Sequence, residues 1–439
     1  GGLLDLLAGQ NLTVASVTHD TETLGGGSFS RTHIKRAAGL YVQNPDGQLR
    51  LAAANDVTLL AAQVVSQGST NLYAGGDLTL GTVSVKEANH TGGKGYRNES
   101  GSSTEIGTYI EGHNDVTLMA GSTLTARAAN VSAQQGTVLA RANDIVLEAG
   151  EARQYSDISQ QKKSSGFLSS KSKSQRDAFD STTALSTTFS GDTVTLAAGN
   201  DLTVKGSSVV ATGDLTAVAG RALTLEAATE THAETHYQKT TQSGLFSSGG
   251  FGFTIGSKML STDQQSTRTT AAASTVGSVE GNVTLTAGEA DRQIGSDVLA
   301  PGGDIAITAR TVDILEARER NRTTFETKAK QSGLTIAITS PIISAIQTVQ
   351  QMASAARDTK DSRMQLLAAA NIGLAGYTTY DAIKTGQGTT LQQPDGSFKD
   401  NQMPVMNDKG EVVGSRDATA GERVGGVNLS FSLGSSQSR

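Results

Sequence analysis

The sequence predicts an all-β fold, a parallel β-solenoid with extruded β arms and a short helical pair towards its C-terminus. Three observations predict it. A five-residue motif recurs along most of the 439 residues. Its copies fall about twenty residues apart, the length of one solenoid coil. The composition, with 50 Gly, no Trp and 4% aromatics, starves a compact core of the large side chains that bury about 1.5 to 3 kcal/mol each. A stack of coils needs only a few aliphatic residues per turn.

The motif is Gly or Asn, then Asp, then aliphatic, Thr and aliphatic. Copies are Asn55-Asp56-Val57-Thr58-Leu59, Gly76-Asp77-Leu78-Thr79-Leu80, Asn114-Asp115-Val116-Thr117-Leu118 and Asn143-Asp144-Ile145-Val146-Leu147. Further copies are Asn200-Asp201-Leu202-Thr203-Val204, Gly213-Asp214-Leu215, Gly281-Asn282-Val283-Thr284-Leu285 and Gly303-Asp304-Ile305-Ala306-Ile307. Exchange of Gly with Asn at the first position predicts a left-handed bend, with the Asp bonding neighbouring amides as an Asx-type turn. The triplet then alternates as a strand, Val57 and Leu59 to one face and Thr58 to the other. Arg221 breaks the pattern before Ala222-Leu223-Thr224-Leu225. Asp56 to Asp77, Asp192 to Asp214 and Asn282 to Asp304 each span one coil. Hairpins in a β-sandwich are the competing arrangement, and they would not repeat one bend at a constant coil length.

A longer period overlies the coil. Leu147-Glu148-Ala149, Leu225-Glu226-Ala227 and Leu315-Glu316-Ala317 each lead through a polar stretch to Ser165-Gly166, Ser243-Gly244 and Ser332-Gly333. We read these as arms, near 86–112, 151–190, 227–280 and 317–339 of a β-helix over residues 1–339. Ser340 as a cap, Pro341 in the first turn and Ile342, Ile346, Val349 and Ala353 at helical spacing begin a helical hairpin over 340–385. Pro394-Asp395-Gly396 and Asn407-Asp408-Lys409-Gly410 mark turns between short strands in 386–439, ending in a frayed tail.

A formal charge of −6, from 36 Lys+Arg against 42 Asp+Glu, disfavours a nucleic-acid partner. The start at Gly1-Gly2-Leu3, without Met or signal peptide, reads as a fragment or a processed chain. Absence of Cys fits passage through an oxidising compartment, and no apolar run is long enough for a membrane-spanning helix.

The stretch through Lys239, Ser243-Gly244-Leu245-Phe246 and Gly250-Phe251-Gly252-Phe253-Thr254-Ile255-Gly256 resembles the haemagglutinin repeats of two-partner-secreted exoproteins, as do the Gly/Asn-Asp motifs. The Ala-rich stretch at Leu366 to Asn371 and the alternating strand Val427 to Leu433 are similar to that family too. The resemblance covers nearly the whole chain. It implies a right-handed parallel β-helix on the bacterial surface, secreted through an outer-membrane partner as a monomeric filament. Within the family it is nearer to the effectors of contact-dependent growth inhibition than to filamentous haemagglutinin adhesins. In those effectors such a region serves delivery of a C-terminal toxin across the target cell's outer membrane; the alternative is an adhesin segment.

Four chemical signals compete with a purely structural reading. His232 and His236 have a metal-like spacing, but on a strand their Cα atoms stand about 13 Å apart, too far to share an ion, so neither a metal nor another cofactor is expected. Lys162, Lys163, Lys171, Lys173 and Arg176 form a basic cluster able to meet phosphates of a target envelope. A solvated arm is the favoured reading, because Asp157, Asp177 and Asp180 dilute the charge. Phe251, Phe253 and Ile255, with Leu334, Ile336 and Ile338, form uncharged alternating strands that could face a membrane. They are short for the 9 to 11 or so residues of a spanning strand, which favours packing on the solenoid. Polysaccharide lyases share the β-helix, yet the recurrent Asp residues sit at bends, and no separate catalytic constellation accompanies them, so no enzyme is expected.

Overall fold

The computed structural model describes residues 2–166, 169–247, 253–331, 337–338, 390–392, 398–400, 402–406, 412–417 and 429–430. The chain divides into two compact units, Gly1–Lys328 and Ala329–Ser438. The helical hairpin read over 340–385 lies outside the described residues.

The first unit is a parallel β-helix with three walls, two of nine strands and one of eight. One coil runs from Gln48–Ala53 in the first wall to Val57–Leu60 in the second and Gln63–Ser66 in the third, then returns to Ser69–Ala74 in the first. Strands of successive coils pair parallel and in register, Leu49 with Thr70 and Leu51 with Leu72. The aliphatic positions of the motif point inward. In the second wall Val57, Leu78, Leu124, Ile145, Leu202 and Leu223 stack directly on one another, every one at 0% exposure. Continuous columns of this kind let a chain so poor in aromatics bury a dry core.

The same column changes character in the eighth coil. Leu223 and Leu225 stack on Asp291 and Gln293, both buried. The Gln293 amide donates to Asp291 Oδ2 at 2.8 Å, while Oδ1 accepts no hydrogen bond from any described residue. Burial pushes the Asp291 carboxyl above its ordinary range.

The Asp residues of the motif bond between coils. Asp77 N–H donates to Asp56 Oδ1 (2.9 Å), Thr123 N–H to Asp77 Oδ1 (3.0 Å) and Asp201 N–H to Asp144 Oδ1 (3.2 Å). A second ladder at the start of the first wall joins Thr137 to Asp115, Asn282 to Asp214 and Asp304 to Asn282, each at 2.8 Å. Each carboxylate or Asn amide thus caps a backbone donor one coil further on. Arg221 fits this scheme: its guanidinium pairs with Asp201, whose Oδ1 also accepts the Ala222 N–H.

The expected left-handed bend is at a different corner. Among described residues, positive φ occurs at Ala61, Ala128, Gly95, Gly206 and Gly295, and at none of the motif's first positions. Those positions favour small residues because coils approach closely there: a Cβ on Gly136 would lie 2.6 Å from Asp115 Oδ1, and one on Gly281 2.5 Å from the Gly213 carbonyl carbon. Ala61, Ala128, Gly206 and Gly295 instead turn the chain from the second wall into the third.

Every other coil replaces that tight corner by a β-hairpin. Hairpin I is Val17–Leu24 with Gly27–Arg36, hairpin II Val83–Gly93 with Tyr96–Ile106, hairpin III Gly150–Ser165 with Ser169–Leu185, and hairpin IV Ala228–Ser247 with Phe253–Ala272. Coils without a hairpin advance 21 or 22 residues, and those with one advance 45, 46, 57 and 68. Hairpin I had no counterpart in the sequence reading. At each root a buried hydroxyl ties the corner together: Ser16 to Ala61 O, Thr108 to Leu59 O, Thr187 to Glu148 O and Ser274 to Glu226 O, at 2.6 to 2.9 Å.

The hairpins also pair with one another, and with the strand Arg320–Gln331, as one nine-stranded antiparallel sheet. Spacing explains the alternation. Strands sit about 4.8 Å apart in either ladder, so two coils and one two-stranded hairpin occupy the same length of stack. A hairpin on every coil would need twice the room.

In the second unit, Thr390–Gln392 pairs antiparallel with Phe398–Asp400, Gln402–Met406 with Val412–Asp417, and Ala337–Ile338 with Leu429–Ser430.

Candidate functional site

Among the described residues, the arm sheet brings exposed acids and bases of successive hairpins side by side. Apart from its roots it is a single layer, with side chains alternating between two solvated faces. The strands are rich in Ser, Thr and Gln, which favour or tolerate an extended, wet backbone. Registry between hairpins decides which charges meet.

On the inner and middle rungs, acids and bases pair. Arg176 donates to Asp157 (3.0 and 2.8 Å), Arg153 Nε–H to Asp180 (2.8 Å), and His236 Nδ1 lies 3.0 Å from Asp177 Oδ1. These partners hold the three Asp carboxyls below their ordinary range, and Arg97 does the same for Glu99. Arg176 therefore belongs to this paired zone, apart from the lysines with which the sequence grouped it. His232 and His236 lie on one extended strand, and Glu234 between them accepts from His232 at 2.8 Å. Among described residues no group of three or more His, Cys, Asp or Glu is placed to hold a metal.

Beyond the rung Gln160–Gln175–Gln238 the acids stop. Segments 161–174 and 239–261 contain Lys162, Lys163, Lys171, Lys173, Lys239 and Lys258 and no Asp or Glu. Lys162 stands directly opposite Lys173, and Lys171 is opposite Gln242, which faces Lys258 on the next strand. Alternation puts Lys162, Lys171, Lys173 and Lys258 on one face and Lys163 and Lys239 on the other. Lys162, Lys163, Lys171 and Lys173 are exposed, and Lys239 and Lys258 half-buried. The dilution by Asp157, Asp177 and Asp180 expected from sequence does not reach this zone, because those residues occupy inner rungs. Lys239 and Lys258, absent from the sequence cluster, join it through pairing of hairpins III and IV; a Lys near each Ser-Gly was the available signal.

Of the apolar residues singled out, Phe253 and Ile255 lie on the outer end of hairpin IV, with Ile255 opposite Leu245 and Phe253 opposite Ser247. Ile338 pairs with Leu429 in the second unit. Phe251, Leu334 and Ile336 lie outside the described residues.

A regular β-helix with a companion sheet of arms defines a repeat protein of the solenoid class, each coil packed on its neighbours. A hemagglutinin-repeat family model matches residues 89–243, 167–276 and 255–392, and the chain belongs to that family. It is 31% identical over 435 residues, 97% of its length, to the tRNA nuclease CdiA of Escherichia coli strain STEC_O31. It is similar to the deoxyribonuclease CdiA of Dickeya dadantii (33% over 377 residues, 85% of the chain) and the 16S rRNA endonuclease CdiA of Enterobacter cloacae (33% over 292, 66%). The chain spans only 13%, 11% and 9% of those three relatives. No solved structure matches it.

Proposed function

We propose that this chain is a non-catalytic shaft segment of a secreted bacterial surface exoprotein, exported through an outer-membrane partner, and that it helps carry a C-terminal cargo across the outer membrane of a contacted cell. One observation carries the reading. Relatives named for three different nucleic-acid substrates share this same segment, which therefore does not define the substrate. A repeat stack whose recurrent acids are consumed in coil-to-coil bonds is suited to support and contact.

The test is deletion of this segment from a full-length exoprotein that contains it, scoring attachment to target cells and cargo uptake separately. Lost uptake with attachment retained is the expected result. Lost attachment would move the function to an adhesin, and cleavage of acidic polysaccharides by the isolated chain would overturn the non-catalytic reading.

A further inference from the structure

We propose that the outer ends of hairpins III and IV form a docking site for a phosphate-bearing lipid surface. The six lysines named above come from four strands that only the pairing of the two hairpins brings together. Inside the Gln160 rung Arg153 pairs with Asp180, Arg176 with Asp157 and His236 with Asp177; outside it segments 161–174 and 239–261 hold no acid to meet the lysines. The segregation follows the geometry of the arm, root to tip.

The Lys162–Lys173 pair gives the segregation its meaning. Like charges directly opposite on neighbouring strands weaken a sheet, and a purely structural arm would place Thr, Gln or a carboxylate there. Local rules broken in this way mark functional surfaces, where a ligand supplies the missing countercharge. Lysines on both faces of a one-layer sheet suit an occupant that surrounds the tip. A headgroup layer does so; a single flat protein partner does not. At the outer end of hairpin IV the backbone register sets Leu245 opposite Ile255 and Phe253 opposite Ser247, so apolar positions share these strands with Lys239 and Lys258, the combination that favours an interface between water and lipid. The chain's overall charge of −6 makes general attraction to anionic lipid unfavourable, so binding must be local to the tips.

The inference uses the arm geometry alone and does not depend on cargo delivery, so either can fail without the other. The full chain is mixed at low salt with vesicles of phosphatidylcholine containing phosphatidylglycerol, and with phosphatidylcholine alone. Binding to the anionic vesicles only is expected, and it weakens as salt rises. Each lysine near such a surface contributes about fivefold, so Lys162→Gln, Lys171→Gln, Lys173→Gln and Lys258→Gln together should weaken binding on the order of several hundredfold. The four corresponding Arg substitutions should bind like the parent. A control with equal charge loss elsewhere, Lys86→Gln, Arg141→Gln, Arg292→Gln and Arg310→Gln, should change binding by no more than about threefold. Circular dichroism of each variant reports whether the strands persist. Equal binding to both vesicles, equal loss in the control, loss in the Arg variant, or full competition by inorganic phosphate at matched ionic strength would each overturn the proposal.

Discussion

Replacing Asp291 and Gln293 together by Leu and Val should stabilise the eighth coil, whose second-wall strand Ala290–Ile294 carries them into an otherwise aliphatic column. Asp291 Oδ1 is buried without a partner among described residues, and an unsatisfied buried acceptor costs about 1–3 kcal/mol. New methyl groups would pack on Leu223 and Leu225, although Val312, next in the column, is 45% exposed and returns only part of a full burial. We expect a net gain of about 2–4 kcal/mol for the pair. The single Asp291→Leu change should be near neutral, because it strands the Gln293 amide that now donates at 2.8 Å. The gain should also depend on pH. Burial raises the folded-state pKa of Asp291, so the protonated acid is tolerated, and stability is lost as pH rises through that value. The advantage of the double variant should therefore be largest at pH 8 and shrink towards pH 4. Hydrogen exchange of peptides covering 290–294 and 311–315 reads this locally, as suits a stack without a single global transition. Faster exchange in the double variant, or a gain unchanged between pH 4 and pH 8, would refute the reasoning.

Three other outcomes follow from the same contacts. In Gly75→Ala the new Cβ would overlap the Ala54 carbonyl oxygen one coil away, and a loss of about 1–3 kcal/mol is expected in denaturant titration, with earlier exchange in Ser69–Ala74. Thr187→Val removes a hydroxyl that donates to Glu148 O at 2.7 Å and accepts the Ala129 N–H at 3.1 Å. It should loosen the root of hairpin III by about 1–3 kcal/mol, seen as faster proteolysis of 150–185. Asp157, Asp177 and Asp180 have lowered pKa values, so their pairs contribute fully above the ordinary Asp range and are lost as pH falls through the folded values. Hairpin III should accordingly gain exchange below about pH 4 while the aliphatic walls stay protected, once intrinsic exchange rates are corrected.

The coil was legible because each turn repeats the same short strand with its Asp, and the aliphatic–Thr–aliphatic alternation sent Val57 and Leu59 inward as read. The bend was misplaced because two physical demands, positive φ and close approach, select the same small residues. At Gly136 and Gly281 the demand is space, and at Ala61 and Ala128 a left-handed backbone is held by residues that give no sequence warning. Hairpin I escaped notice since residues 17–36 lack the Leu-Glu-Ala and Ser-Gly frame of the longer arms. Arg221 looked anomalous until its partner, Asp201, proved to be one coil away. The lysine zone was half visible: the run at 162–173 was plain, but Lys239 and Lys258 lie far off in sequence and meet it only through strand registry.

The two-coil beat of the arms separates two kinds of change that evolution can make. Along the stack nothing can be added except in steps of two coils and one hairpin, or one ladder falls out of step with the other. Outward from the stack there is no such constraint, and the first strands of hairpins I to IV run 8, 11, 16 and 20 residues while the walls beneath keep their registry. Lateral reach is thus free to vary under selection by whatever the tips touch, at no expense to the core that carries them.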